Sequence, residues 1–107
     1  MTPEGKVMQH LTRRVKAIGG HARKVTWDGH VGAPDWFVVL HGASAFFELK
    51  APNGRPSTMQ LREMEMLRRG GNIVYLCYGV DDVDAAMQDL HERAKRAPLS
   101  EGEDATF

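Results

Sequence analysis

Asp35, Glu48 and Lys50 are the residues of this chain whose types and spacing suit shared chemistry. Glu48 and Lys50 lie in Ser44 to Lys50, a run rich in strand formers. Side chains on a strand alternate between faces, so these two project to the same side. Trp36 to His41 is a second such run. Gly42-Ala43 between them reads as a two-residue loop, with glycine where a type II′ turn needs it. That loop pairs His41 with Ser44, Phe37 with Glu48 and Asp35 with Lys50. Asp35 then stands diagonally across from Glu48, within reach of a shared ion. A three-residue loop would slip the register by one and turn Asp35 to the opposite face, so the hairpin register decides the site.

Two carboxylates and an ammonium at the ends of neighbouring strands suit phosphodiester hydrolysis. Mg²⁺, with Mn²⁺ as a substitute, takes oxygen ligands, is held by one or two carboxylates, and keeps positions for water and a phosphate oxygen. Such an ion polarises the phosphoryl group. Lys50 beside it would orient the attacking water or stabilise transition-state charge. The alternative for the same residues is a surface Glu–Lys pair on an edge strand, with Asp35 a turn residue.

The elements that must position these residues follow from periodicity and stop signals. Thr2-Pro3-Glu4 opens a helix with a hydroxyl cap, a proline at the first position and an acid in the first turn. Val7, Leu11, Val15 and Ile18 form its apolar stripe, and Gly19-Gly20 ends it. Ala22 to Trp27 is a short strand, followed by an Asp28-Gly29 turn. After the hairpin, Pro52-Asn53-Gly54 breaks the chain. Ser57 opens a second helix, and Gln60 completes a capping box. Leu61, Met64 and Leu67 mark the apolar face of that helix, which stops at Gly70-Gly71. Asn72 to Tyr78 is a nearly continuous apolar run, as in a strand covered on both faces. Asp81 caps a last helix with the stripe Val83, Met87, Leu90 and Ala94. The order α-β-β-β-α-β-α predicts an α/β fold of α+β-like character: a mixed sheet with an antiparallel hairpin and then a right-handed crossover.

The bulk properties frame this without naming a partner. The 107 residues allow one domain, with 42% hydrophobic and 26% charged residues as in an ordinary globular protein. No apolar run reaches membrane-spanning length and no signal peptide is visible, so the expected setting is the cytoplasm of a bacterial or phage-infected cell. Cys77 is alone, which excludes an intrachain disulfide. The 14 basic and 14 acidic residues balance, but not evenly along the chain. Residues 1–24 carry six basic groups against Glu4, and residues 81–107 carry eight acids against three bases. Either the basic face holds phosphates, or two solvated helix faces of opposite sign happen to balance. Lys24, Arg55, Arg62, Arg68 and Arg69 are candidates for phosphate contact or plain surface groups. His10, His21, His30, His41 and His91 lack paired zinc-ligand spacing. The glycine pairs read as caps and turns, not phosphate loops, which argues against a nucleotide cofactor. Residues 1–97 form the expected domain, and the polar, acidic residues 98–107 a disordered tail.

Gly32-Ala33-Pro34-Asp35, Phe46-Phe47-Glu48-Leu49-Lys50-Ala51-Pro52, Gln60 and the approach Gly70-Gly71-Asn72-Ile73-Val74 together resemble the PD-(D/E)xK nuclease superfamily. The nearest pattern is the VRR-NUC family in its short, stand-alone, phage-type form, and the resemblance spans about residues 4–90. It implies a restriction-endonuclease-like α-β-β-β-α-β core with a C-terminal helix, and metal-dependent endonuclease activity on branched DNA such as Holliday junctions. It implies that Asp35 and Glu48 bind the metal with help from the Leu49 carbonyl, that Lys50 is catalytic and that Gln60 lines the site. Glu4 matches a helical glutamate that points inward, and its place three residues before Val7 would aim it at the sheet. Gln60 can serve as cap partner, site residue or both. The chain departs from the family at Trp36, where a basic residue is common. That departure bears on DNA contact and not on metal ligands. Stand-alone relatives act as symmetric dimers, which makes a homodimer the expectation, and Trp27 and Trp36 belong either to a dimer face or to the core. The competing function is a non-catalytic DNA-binding or assembly module that retains the nuclease core.

Overall fold

The computed structural model describes residues 1–97, and the elements among them follow the expected order. Helix α1 (Pro3–Ala17) starts as predicted: the Thr2 hydroxyl accepts from the Gly5 amide at 3.0 Å, with Pro3 at the first position. Val7, Leu11 and Val15 are buried. Ile18 does not extend that stripe. It lies past the last helical residue, at φ −107° and ψ 15°, and is 43% exposed. A cap is worth about 1 kcal/mol, whereas each buried aliphatic side chain contributes about 1.5–3 kcal/mol. Packing on the sheet, more than the cap, therefore holds α1 in place.

Strands β1 (His21–Lys24), β2 (Trp36–Leu40), β3 (Ala43–Lys50) and β4 (Val74–Tyr78) form one sheet in that order. The first two pairings are antiparallel, and β3–β4 is parallel, joined through helix α2 (Thr58–Arg69). β1 stops at Lys24, short of the expected Trp27, but Val25 still donates to the Asp35 carbonyl at 2.8 Å.

The β2–β3 register differs from the sequence expectation. Leu40 pairs with Ala43 and Phe37 with Phe46, so the loop is His41-Gly42 and not Gly42-Ala43. Glycine is its second residue, at φ +102°, while His41 before it has no positive φ, as in a type II turn and not type II′. The reason is tertiary. Gly42 lies against helix α3 (Val80–Arg96), and a Cβ there would come within 2.6 Å of the Ala94 carbonyl oxygen. The loop residue pressed against the helix must therefore be the glycine. The predicted pairs are off by two residues, which preserves the face of every side chain.

One face of the sheet carries the larger core, in which Val38, Leu40, Phe47 and Cys77 pack against Leu11 of α1 and Met87 of α3. The other carries a smaller cluster of Met64, Leu67 and Val74 with Trp27, Phe46 and Leu76 at its edge. β4 thus feeds both faces, as its apolar run predicts. Trp36 packs on the larger core and Trp27 on the smaller, each only partly buried. Burial pushes the Cys77 thiol up to about 12, so it stays protonated as part of the core.

Two helix assignments change. Leu61 is 49% exposed, and α2 buries only Met64 and Leu67. The inward line runs 60, 64, 67, so Gln60 and not Leu61 continues it. The N-cap of α3 is Gly79, at φ +92°, and Asp81 and Asp82 lie in the first turn. Asp82 accepts from the Tyr78 amide at 2.7 Å, and Gly79 donates to the Lys50 carbonyl at 3.1 Å, tying this turn to the end of β3. Asp84 of α3 pairs with His10 at 2.6 Å and Arg14 at 3.5 Å of α1, so part of the opposed charge is used between the two helices. The acidic segment expected to be disordered, residues 98–107, lies outside the described residues. Among the described residues no helix is long and apolar enough to cross a membrane.

Gly42→Ala adds a methyl group that meets the α3 backbone and imposes strain at a positive φ. Chemical denaturation should show a loss of about 1–3 kcal/mol, and an unchanged midpoint would refute the close-approach explanation.

Candidate active site

The register continued one step beyond Trp36–Phe47 sets Asp35 directly opposite Glu48, closer than the diagonal expected from sequence. Asp35 is anchored by its neighbours. Pro34 is fully buried, its carbonyl accepts the Trp27 indole N–H at 2.7 Å, and the Asp35 carbonyl is bonded to Val25. The side chain is thereby left to face a cavity of about 290 Å³ at this end of the sheet. That cavity brings together Asp35, Glu48, Leu49, Lys50, Gln60 and Glu4, the expected metal and catalytic residues, while of the phosphate-contact candidates it takes in Lys24 but not Arg55, Arg62, Arg68 or Arg69.

Glu48 is its electrostatic centre. β3 lies inside the sheet, and Glu48 is only 6% exposed, which removes the edge-strand surface pair as an explanation. The carboxylate has two polar neighbours. Lys50 Nζ stands 3.7 Å from Oε2, and the Gln60 side-chain amide donates to Oε2 at 3.3 Å. These do not offset its surroundings. Burial, opposed by Lys50 and reinforced by the charges of Asp35 and Glu4, pushes the Glu48 carboxyl up to about 7.

Gln60 does two things at once. Its Oε1 accepts from the Ser57 amide at 2.8 Å while Ser57 Oγ accepts from the Gln60 amide at 3.1 Å, a complete capping box. Its Nε2 then reaches Glu48. A glutamate could cap the helix equally well, but only the amide can also donate to a carboxylate. Glu4 lies on the cavity wall yet is exposed, so it acts on Glu48 from the rim instead of entering the core.

Sequence reasoning did not foresee the partner of Asp35. Lys24 on β1 places Nζ 3.4 Å from Asp35 Oδ2 and 5.7 Å from the centre of the Trp36 ring. Lys24 pairs with Trp36 in the β1–β2 ladder, and recognising the β1 register was the signal that would have found it.

The donor set suits a hard divalent cation. Burial, reinforced by the charges of Asp35 and Glu4, raises the Glu48 carboxyl, positive charge relieves it, and Asp35, Glu48 and Glu4 offer carboxylate oxygens on the cavity wall. Among the described residues no three His, Cys, Asp or Glu side chains stand in ligand spacing. The side chains that could hold an ion here are Asp35 and Glu48, with the remaining positions left to water or substrate.

A solved structure of a "VRR_NUC domain" matches this fold with a TM-score of 0.76 and 37% identity, covering 82% of this chain and 97% of the other. The chain belongs to the VRR-NUC family. Its mixed sheet with flanking helices is the VRR-NUC nuclease fold, a fold whose members use divalent metals. The chain is also 43% identical over 61 residues to "Putative nuclease p44" of Acyrthosiphon pisum secondary endosymbiont phage 1. That match takes in 56% of this chain and 66% of the phage protein, just under two thirds of its length. No family model matches the chain.

The VRR-NUC site carries a stability cost with a defined pH dependence. Glu48 titrates higher in the folded chain than in the unfolded one, so the folded state holds its proton more tightly. That contribution is complete below about pH 4.5 and is lost as pH rises through about 7. Metal-free Glu48→Gln should exceed the wild type in stability by about 1–3 kcal/mol at pH 8, with the gap closing toward pH 4.5. Urea titrations across that range check it, and a gap independent of pH would contradict the assignment.

Proposed function

We propose that this protein is a divalent-metal-dependent endodeoxyribonuclease of PD-(D/E)xK type, with Asp35 and Glu48 as metal ligands and Lys50 as the catalytic cation. The observation that carries this reading is the convergence of buried Glu48, Asp35 opposite it and Lys50 at 3.7 Å on one cavity. Membership of a nuclease family and the name of the phage relative support the same reaction class. A bound Mg²⁺, or Mn²⁺ in its place, supplies a Lewis acid for the scissile phosphoryl oxygen.

The chain's own residues do the rest. Asp35 and Glu48 would hold the ion from adjacent strands, with the Leu49 carbonyl as a neutral third oxygen. Lys50 orients the attacking water and offsets charge that builds on the phosphoryl oxygens. The Gln60 amide orients the Glu48 carboxylate, and Glu4 adds negative charge at the rim that would favour a cation in the cavity.

The proposed substrate is branched DNA of the Holliday-junction type, the class that the family resemblance implies. One chain contributes one site, and symmetric cutting of a four-way junction takes two, so the reading includes a homodimer.

Purified protein with Mg²⁺ or Mn²⁺ should nick labelled four-way DNA in preference to flapped or linear duplexes. Asp35→Ala and Lys50→Ala should each lower the rate by about 10²-fold or more while circular dichroism stays unchanged. Undiminished cleavage in both variants would sink the proposal, and junction binding without cleavage under any divalent metal would favour a non-catalytic binding module.

A further inference from the structure

Lys24 is the one cation of the cavity that the reading above leaves without a task. It projects from β1 over the Trp36 ring, Nζ 5.7 Å from the ring centre, and reaches Asp35 Oδ2 at 3.4 Å. Trp36 follows Asp35, at the position where a basic residue was expected. The neighbouring strand has brought a basic side chain to that same place, because Lys24 and Trp36 are register partners. Both members of the Lys24–Asp35 pair are about half exposed, and an ion pair open to solvent is weakly held and readily exchanged.

The geometry points to Lys24 as a substrate-phosphate residue that is released from Asp35 when the metal arrives. In the metal-free protein Lys24 is the counter-ion of Asp35. A divalent cation on Asp35 competes for the same oxygen and repels the ammonium, which lies on a flexible stem at the cavity mouth. The nearest new partner for it is a phosphate of the DNA strand entering the site. Lys24 and the ion thus compete in the free protein and act on the same strand once DNA is bound. Lys50 differs in kind: it is shielded from solvent and paired with Glu48, so it belongs to the chemical step.

This inference rests on the nuclease reading, and the test separates the two. Fluorescence anisotropy with labelled four-way DNA in Ca²⁺, across a salt series, reads phosphate contact. Calorimetric titration of DNA-free protein with MnCl₂ reads the competition. Lys24→Ala should bind DNA about 5- to 20-fold more weakly at low salt, and its salt slope should fall by about 0.9, the share of one phosphate. Lys24→Arg should restore both. Mn²⁺ should bind DNA-free Lys24→Ala about 2- to 5-fold more tightly than wild type, because a competing cation is gone. An unchanged DNA affinity and slope, or Mn²⁺ binding that stays level or weakens, would overturn the role. Weaker Mn²⁺ binding with an unchanged salt slope would show a lysine that only positions Asp35. If the wild type binds Mn²⁺ and cuts DNA while Lys24→Ala matches it throughout, only this inference falls. If the wild type binds neither Mn²⁺ nor DNA, the nuclease reading falls with it.

Discussion

The contact between Gly42 and the backbone of α3 at Ala94 governs more of this protein than its size suggests. It selects which residues turn between β2 and β3, and the turn sets the register of both strands. Because side chains alternate with a period of two, that register is carried unchanged to the far ends of the strands. There it decides whether Asp35 faces Glu48. The ends are tied down separately, by buried Pro34, by the Trp27 indole on its carbonyl, and by the bond from Gly79 to Lys50. A hairpin clamped at both ends holds the two carboxylates together against the repulsion that Asp35 exerts on Glu48.

The second constraint is electrostatic. Glu48 is buried beside Asp35 and within the field of Glu4, and one lysine with one amide does not neutralise that cluster. A chain selected for stability alone would place an apolar residue or a glutamine at this position. On the proposed reading a cation offsets that cost, since burial beside Asp35 and Glu4 raises the carboxyl and strengthens its attraction for positive charge. Gln60 makes the compromise workable, because one side chain both closes the start of α2 and donates to Glu48. The site is thereby coupled to the fold through the first turn of a helix and not through a flexible loop.

Charge elsewhere follows the same economy. The basic N-terminal region and the acidic start of α3 are partly matched to each other, through His10, Arg14 and Asp84. What stays near the cavity is a smaller set, with Lys24 on the rim and Lys50 inside. There these two lysines face three carboxylates, Glu4, Asp35 and Glu48, so a formally neutral protein carries a locally acidic cavity.

The sequence alone determined the parts of this protein that depend on local rules. The order of elements, the Thr2 and Ser57 caps, the shared face of Glu48 and Lys50, and the residue types of the site follow from periodicity, capping and side-chain chemistry. The resemblance to a nuclease family followed from the same residues. Tertiary structure decided whatever depends on one element approaching another. The hairpin register moved by two residues because α3 leaves no room for a Cβ at Gly42. Leu61 gave way to Gln60 on the inward line of α2 because the sheet end that faces it carries Glu48. Lys24 became the partner of Asp35 because β1 lies next to β2, a neighbour relation that no local pattern encodes. Residue types and parity are properties of short stretches of chain, whereas close approach, burial and the shifted ionisation of Glu48 exist only once distant stretches are packed together.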